Sequence, residues 1–276
     1  MEIVDFLAYG FIQRALIAGS FIALVCSLLG VLLVLRRLSL IGDGLSHVTF
    51  GGVALGLLLN VQPVYISLPV VIASSLGILK LAEKAKIYGD AAIGIVSSIG
   101  IAGGVMLASM AGGFNIDLFS YLFGNILSIS NAEVYSSILL SVIVLFTIYI
   151  YFNEIFSITF DEEFARASGI NTRRINSILV VLTAITVVLT MKVVGIMLTS
   201  ALLILPAATA FQVAKGFRNS MLISAITSVI SVLSGIMISF IFNLPTGASI
   251  VILNFTIFLI AFTYKNYFKK RPPLPH

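Results

Sequence analysis

Nine stretches of this chain are each apolar enough, and long or nearly long enough, to cross a lipid bilayer, and this limits what it can fold into. They run near Phe11–Leu35, Leu45–Leu59, Val64–Leu81, Ala91–Ala111, Val134–Tyr151, Ile175–Met191, Val193–Val213, Met221–Phe242 and Ala248–Tyr264. A helix of about 20 predominantly apolar residues spans a bilayer core. The predicted fold is therefore all-α, a polytopic membrane helical bundle of about nine spans, with residues 1–276 forming one transmembrane domain. Composition agrees: 59% of the residues are hydrophobic and 10% charged, where a soluble domain carries about 25% charged residues. A soluble enzyme, a disordered chain and a nucleic-acid binder are excluded, although Lys and Arg number 16 against 11 Asp and Glu. The first apolar run is too long, and lacks the small-residue cleavage site, for a removable signal peptide. The single Cys26 lies within that run and is expected to be a buried thiol.

Charge sets the orientation. Arg36, Arg37, Lys80, Lys84, Lys86, Arg166, Arg173, Arg174, Lys215, Arg218, Lys265, Lys269, Lys270 and Arg271 fall on one side of a nine-span bundle, and only Arg14 and Lys192 on the other. The positive-inside rule makes the crowded side cytoplasmic, with the N-terminus outside and the C-terminus inside. An eight-span arrangement would strand either Arg36–Arg37 or the Lys269–Arg271 cluster outside. The weakest boundary is the tight turn at Lys192 that separates the sixth span from the seventh.

Two connections are long. The outer one, about 112–131, carries Asp117 and the aromatic stretch Leu118-Phe119-Ser120-Tyr121-Leu122-Phe123, which suits a short interfacial helix. The inner one, about 153–174, reads Thr159-Phe160-Asp161-Glu162-Glu163-Phe164-Ala165-Arg166-Ala167-Ser168-Gly169. Thr159 with Glu162 three residues on has the form of a capping box, and Gly169 that of a helix stop. In the resulting helix Phe160, Phe164 and Ala167 share a face. Those phenylalanines need cover, either from a partner or from the inner surface of the protein itself.

Ionisable groups within spans are costly and face a partner, water or cargo. Most carboxylates here belong to the surfaces: Glu2, Asp5, Asp117 and Glu133 outside, and Glu83, Asp90, Glu154, Asp161, Glu162 and Glu163 inside. Asp43 is the exception, in Ile41-Gly42-Asp43-Gly44-Leu45-Ser46-His47, and with His276 terminal, His47 is the one histidine available to the bundle. Four residues apart, the two side chains lie on one helix face. Three chemistries fit: half of a divalent metal site, a hydrogen bond that locks the helix, or a proton relay. Zinc takes four ligands, or three with an open position, so a homodimer with its twofold axis on this face would complete an N2O2 set. With water added, that set would also accept Mn²⁺ or Fe²⁺. Gly52 with Gly56, and Gly100 with Gly104, have the spacing of close helix contacts, within a bundle or across a dimer. Pro206 is expected to kink or break the seventh span, and Asn254 to hydrogen-bond between helices. No phosphate loop, zinc-protease motif or nucleophile elbow is present, so ATP hydrolysis, if it drives transport, belongs to another polypeptide.

At these motifs the chain resembles the permease subunits of ATP-binding-cassette importers for zinc, manganese and iron. The resemblance covers nearly the whole chain in order. It is carried by Leu35–His47, Asp90-Ala91-Ala92-Ile93-Gly94-Ile95, Asp117–Ser130 with Tyr121-Leu122-Phe123-Gly124-Asn125, Phe160–Gly169 and Val193–Ala210, which contains Leu205-Pro206-Ala207-Ala208. Gly44 departs from the family, which commonly has alanine there. The resemblance implies a homodimeric permease domain in a prokaryotic plasma membrane that holds no permanent cofactor and passes Zn²⁺, Mn²⁺ or Fe²⁺ along the dimer axis. It implies Asp43 and His47 as metal-pathway residues. It also implies coupling to cytoplasmic ATPase subunits through Phe160, Asp161, Glu162, Glu163, Phe164, Arg166 and Gly169, and docking of an extracytoplasmic metal-binding protein around Asp117, Tyr121 and Asn125. Two rivals keep other chemistry: a permease for metal chelates such as cobalamin or siderophores, whose wide path would need no paired ligands, and a motor-independent proton-coupled transporter.

Overall fold

A computed structural model describes residues 9–113, 116–125, 129–191 and 193–268. The expectations for Glu2, Asp5, Lys192, the Lys269–Arg271 cluster and His276, and for the side chain of Asp117, fall outside the described residues.

The described residues form helices and turns: α1 (Gly10–Leu35), α2 (Ile41–Leu58), α3 (Pro63–Ala85), α4 (Gly89–Met110), α5 (Ile116–Phe123), α6 (Asn131–Ile150), α7 (Phe152–Phe160), α8 (Glu162–Ala167), α9 (Thr172–Thr190), α10 (Thr199–Val213), α11 (Phe217–Phe242) and α12 (Thr246–Phe268). Among them, nine segments are long and apolar enough to cross a membrane, α10 counted with the 3-10 turn Ile196–Leu198 before it. Their order matches the nine predicted runs. The most thoroughly enclosed are α1 and α2. α1 packs on α6, α10 and α11, while α2 lies among α3, α4 and α9.

Close approach explains the enclosure of α2. A Cβ at Gly52 would lie 2.7 Å from Ser67 Cα, and one at Gly56 2.8 Å from Pro63 Cα, both on α3. On the other flank, a Cβ at Gly100 of α4 would lie 2.9 Å from the backbone of Val48. Gly104 is close as well, a Cβ there lying 3.1 Å from Gly51 N, so all four glycines serve packing within the chain. Interior hydroxyls are absorbed locally: Thr183, Thr186 and Thr190 of α9 each donate to the carbonyl four residues back, at 2.6–2.8 Å, which buries them without an orphaned donor.

Two expectations about helix interiors, a break at Pro206 and an interhelical bond from Asn254, are not met. Pro206 lies inside α10, which continues through it; the interruption comes earlier, at Gly195, whose φ of 94° no helical residue adopts. Gly195 meets Gly124, φ 77°, at the end of α5. A Cβ on Gly124 would lie 2.7 Å from the Val193 carbonyl oxygen, so the outer connection is seated on the break between α9 and α10. Asn254 is buried, but its amide donates to the Ile250 carbonyl of its own helix at 3.3 Å rather than across to another.

The two ends of the bundle differ. At one end Arg173 pairs with Glu83, Arg174 donates to the Tyr151 hydroxyl at 3.2 Å, and Lys265 donates to Gln212 at 3.2 Å. At the opposite end Arg14 donates to Asn131 at 3.3 Å.

Candidate functional site

α2 begins at Ile41, directly after the turn that ends α1, and Asp43 sits in its first turn, where the positive end of the helix dipole favours a carboxylate. His47 stands one turn deeper on the same face. While most of α2 is buried, Asp43, His47, Gly51 and Leu55 form a partly exposed stripe at four-residue spacing. Asp43 is 50% and His47 26% exposed at the side chain. This face cannot be left against lipid, because an ionisable pair there needs water, an ion or protein.

The separation of the two groups matters. His47 Nε2 lies 3.5 Å from Asp43 Oδ2, at ion-pair distance but beyond the 2.7–3.2 Å typical of an N–H···O bond. The two groups are neighbours on one face, each with part of its side chain open. Among the described residues, no group of three or more His, Cys, Asp or Glu is placed to hold a metal ion. On this face the described chain places two such groups together, Asp43 and His47.

The inner connection is built differently from its expected single helix. α7 runs to Phe160, and Asp161 both closes it, donating its N–H to the Ser157 carbonyl at 3.0 Å, and caps α8, its carboxylate accepting from Phe164 N–H at 2.8 Å. Thr159 is not the cap: its hydroxyl donates backward to the Ile155 carbonyl at 2.6 Å. Gly169, φ 88°, ends the segment as expected. Phe160 and Phe164 consequently stand on separate helices. The Phe160 ring packs on Phe156 (4.8 Å between centroids) and Phe217 (5.9 Å), whereas Phe164 is 67% exposed. The residue that anchors α8 is Ala165, fully buried, and not Ala167. Glu163 and Arg166 face outward. Asp161→Ala is expected to destabilise α8 by about 1 kcal/mol and Thr159→Ala to leave it unchanged, read as amide exchange across 162–167. Equal effects would contradict the cap.

Glu162 is the least expected member of this segment. Its partly exposed carboxylate accepts from Arg36 Nη2 at 3.3 Å and Asn176 Nδ2 at 3.2 Å, with Arg166 at 3.6 Å. The Arg36 side chain is only 9% exposed; burial pushes its guanidinium below its ordinary value, and Glu162 pulls it back up. No spacing rule links positions 36 and 162, so sequence reasoning had no signal for this pair.

At the opposite end, α5 turns Leu118, Tyr121 and Leu122 into the core. Tyr121, 8% exposed, offers little surface to a docking protein, because its i, i+3, i+4 partners are the apolar ones. Asn125, partly buried, donates to the Ser120 hydroxyl at 3.4 Å. Phe119 and Phe123 form the exposed edge instead, stacked at 6.2 Å.

Nine segments long and apolar enough to cross a bilayer, among the described residues, define a multi-pass membrane protein. The chain belongs to the ABC 3 transport family, whose profile matches residues 8–265. It is 34% identical to the manganese transport system membrane protein MntC of Listeria innocua, over 93% of this chain and 91% of that one. It is 31% identical to the high-affinity zinc uptake system membrane protein ZnuB of Haemophilus influenzae, over 90% and 95%. Its structure superimposes on PsaBC from Streptococcus pneumoniae, solved in complex with a Fab, with a TM-score of 0.86 and 32% identity, covering 96% of this chain and 97% of that one. The protein is a permease subunit, a transport component and not an enzyme.

Proposed function

We propose that this permease carries manganese or zinc into a prokaryotic cell as part of an ATP-driven importer, residues 1–276 serving as its one transmembrane domain in a multi-pass plasma-membrane protein. The observation that carries the reading is the half-exposed Asp43–His47 pair, two ligands short of a site, on a helix face that only another polypeptide, water or cargo can cover. A second copy related by a twofold axis supplies the missing pair. The ion passes between the copies by alternating access, briefly held by both Asp43 and both His47. Incomplete coordination in any other arrangement of the copies allows release, since an ion held too tightly does not move on.

The basic end of the bundle faces the cytoplasm by the positive-inside rule. There the outward surface of α8, with Phe164, Glu163 and Arg166, meets an ATPase subunit, while Phe160 braces the segment against Phe156 and Phe217. At the other end the Phe119–Phe123 edge, with Asp117 and Asn125 beside it, receives a metal-binding protein. The paired ligands separate this function from chelate import.

Proteoliposomes holding the chain with its ATPase are expected to accumulate Mn²⁺ or Zn²⁺ only when ATP is supplied. Uptake that ignores ATP, or failure to move either ion, overturns the reading. Phe164→Ser is expected to weaken ATPase co-purification by about tenfold, as for loss of one exposed aromatic anchor, with no loss of thermal stability, since Phe164 makes little intramolecular contact. Undiminished co-purification would remove Phe164 from the interface.

A further inference from the structure

We propose that Arg36 and Glu162 are positioning residues that carry movement of α8 to the root of α2, and hence to Asp43 and His47; the inference rests on the importer reading above. Glu162 belongs by sequence to the segment offered to the ATPase, yet its partly exposed carboxylate gathers three cations or donors from three elements: Arg36 at the end of α1, Asn176 on α9 and Arg166 on α8 itself. Arg36 is enclosed, so its charge has few places to go other than Glu162.

From Arg36 the chain reaches the Asp43–His47 pair through a tight connection closed by backbone bonds between the end of α1 and the first turn of α2. Arg36 N–H donates to the Leu32 carbonyl at 3.1 Å, and Leu38 N–H to Leu33 at 2.8 Å. Ile41 N–H then donates to Leu38 at 3.1 Å, and Gly44 N–H to Leu40 at 3.0 Å. Asp43 lies between the last two links. A displacement of α8 therefore pulls on Arg36 through a charge-assisted bond and tilts the first turn of α2, where Asp43 sits. Asn176 ties the same carboxylate to α9, so the clamp has a fixed side against which α8 can move.

The test uses the complete transporter in nanodiscs, permease with its ATPase, carrying spin labels at Leu40→Cys and Asn219→Cys. Leu40 is 50% exposed at the root of α2, and Asn219 is exposed on α11 at the same end. Cys26 is fully buried and stays unlabelled. Adding a non-hydrolysable ATP analogue is expected to shift the inter-label distance by about 2 Å, the scale of helix displacement at a packed interface. Glu162→Gln is expected to abolish the shift, and to lower the metal moved per ATP by about tenfold, as for losing one charge-assisted bond, while hydrolysis continues. The reversed pair Arg36→Glu/Glu162→Arg is expected to restore both.

A parent complex without the shift, or a Glu162→Gln complex that keeps it, overturns the inference. So does a fall of transport and hydrolysis in equal proportion, the mark of a purely structural role. A parent complex that shifts normally yet moves no metal defeats the importer reading and leaves the clamp standing.

Discussion

Asp43→Asn combined with His47→Ala is expected to remove bound metal from the purified permease, lowering affinity by about 100-fold or more. Loss of supporting groups outside the ligand shell already costs about 10–100-fold at metal sites, and this variant removes both groups proposed as ligands. Anomalous scattering at the zinc and manganese edges is the direct readout. Wild type should show one peak on the twofold axis between copies, and the variant none. The two edges also rank the ions, because a tetrahedral N2O2 set suits Zn²⁺ and additional water ligands favour Mn²⁺. A peak that survives in the variant, or lies away from α2, would withdraw the pair from the metal path. Thermal stability of the variant, measured alongside, separates loss of ligands from loss of helix support.

The second large effect concerns the wall behind the pair. Gly100→Val on α4 is expected to destabilise the permease by about 1–3 kcal/mol, the range for overpacking a filled contact. A Cβ there would lie 2.9 Å from Val48 N and Cα and 3.0 Å from the His47 carbonyl carbon. These are backbone atoms and cannot rotate away. Relief requires α4 to move off α2, which shifts the very turn that presents His47, so metal binding should fall together with thermal stability in detergent. Gly77→Ala on α3, with nothing within 4 Å of the added carbon, serves as the control and should be neutral or slightly stabilising. If Gly100→Val melts at the wild-type temperature, α2 and α4 are not packed as described.

Local signatures were read with uneven success, and the reasons are physical. The Thr159-x-x-Glu162 pattern has the composition of a capping box, but Thr159 was already inside a helix with its hydroxyl committed to Ile155, and Glu162 was claimed by a buried arginine. The true capping box stands at the head of α6, where Ser130 N–H donates to Glu133 at 2.8 Å and Glu133 N–H to the Ser130 hydroxyl at 3.3 Å. Both share one regular expression; only the course of the preceding backbone separates them. Pro206 failed as a breaker for a related reason. Neighbouring helices hold α10 together around one missing donor, whereas a left-handed residue such as Gly195 ends helical geometry outright.

The amino-acid sequence by itself determined the nine crossings, their order, the polarity of the two ends and the Asp43–His47 pair. Each of these follows from hydropathy, charge or four-residue periodicity, and such quantities are written locally along the chain. The tertiary structure alone decided that Gly100 and Gly104 press on α2, that Tyr121 turns inward and leaves Phe119 and Phe123 at the rim, and that Glu162 closes on Arg36. Those contacts join positions as far apart as 36 and 162. Such pairings depend on how the helices settle against one another, and packing between distant segments leaves no periodic trace in a single chain.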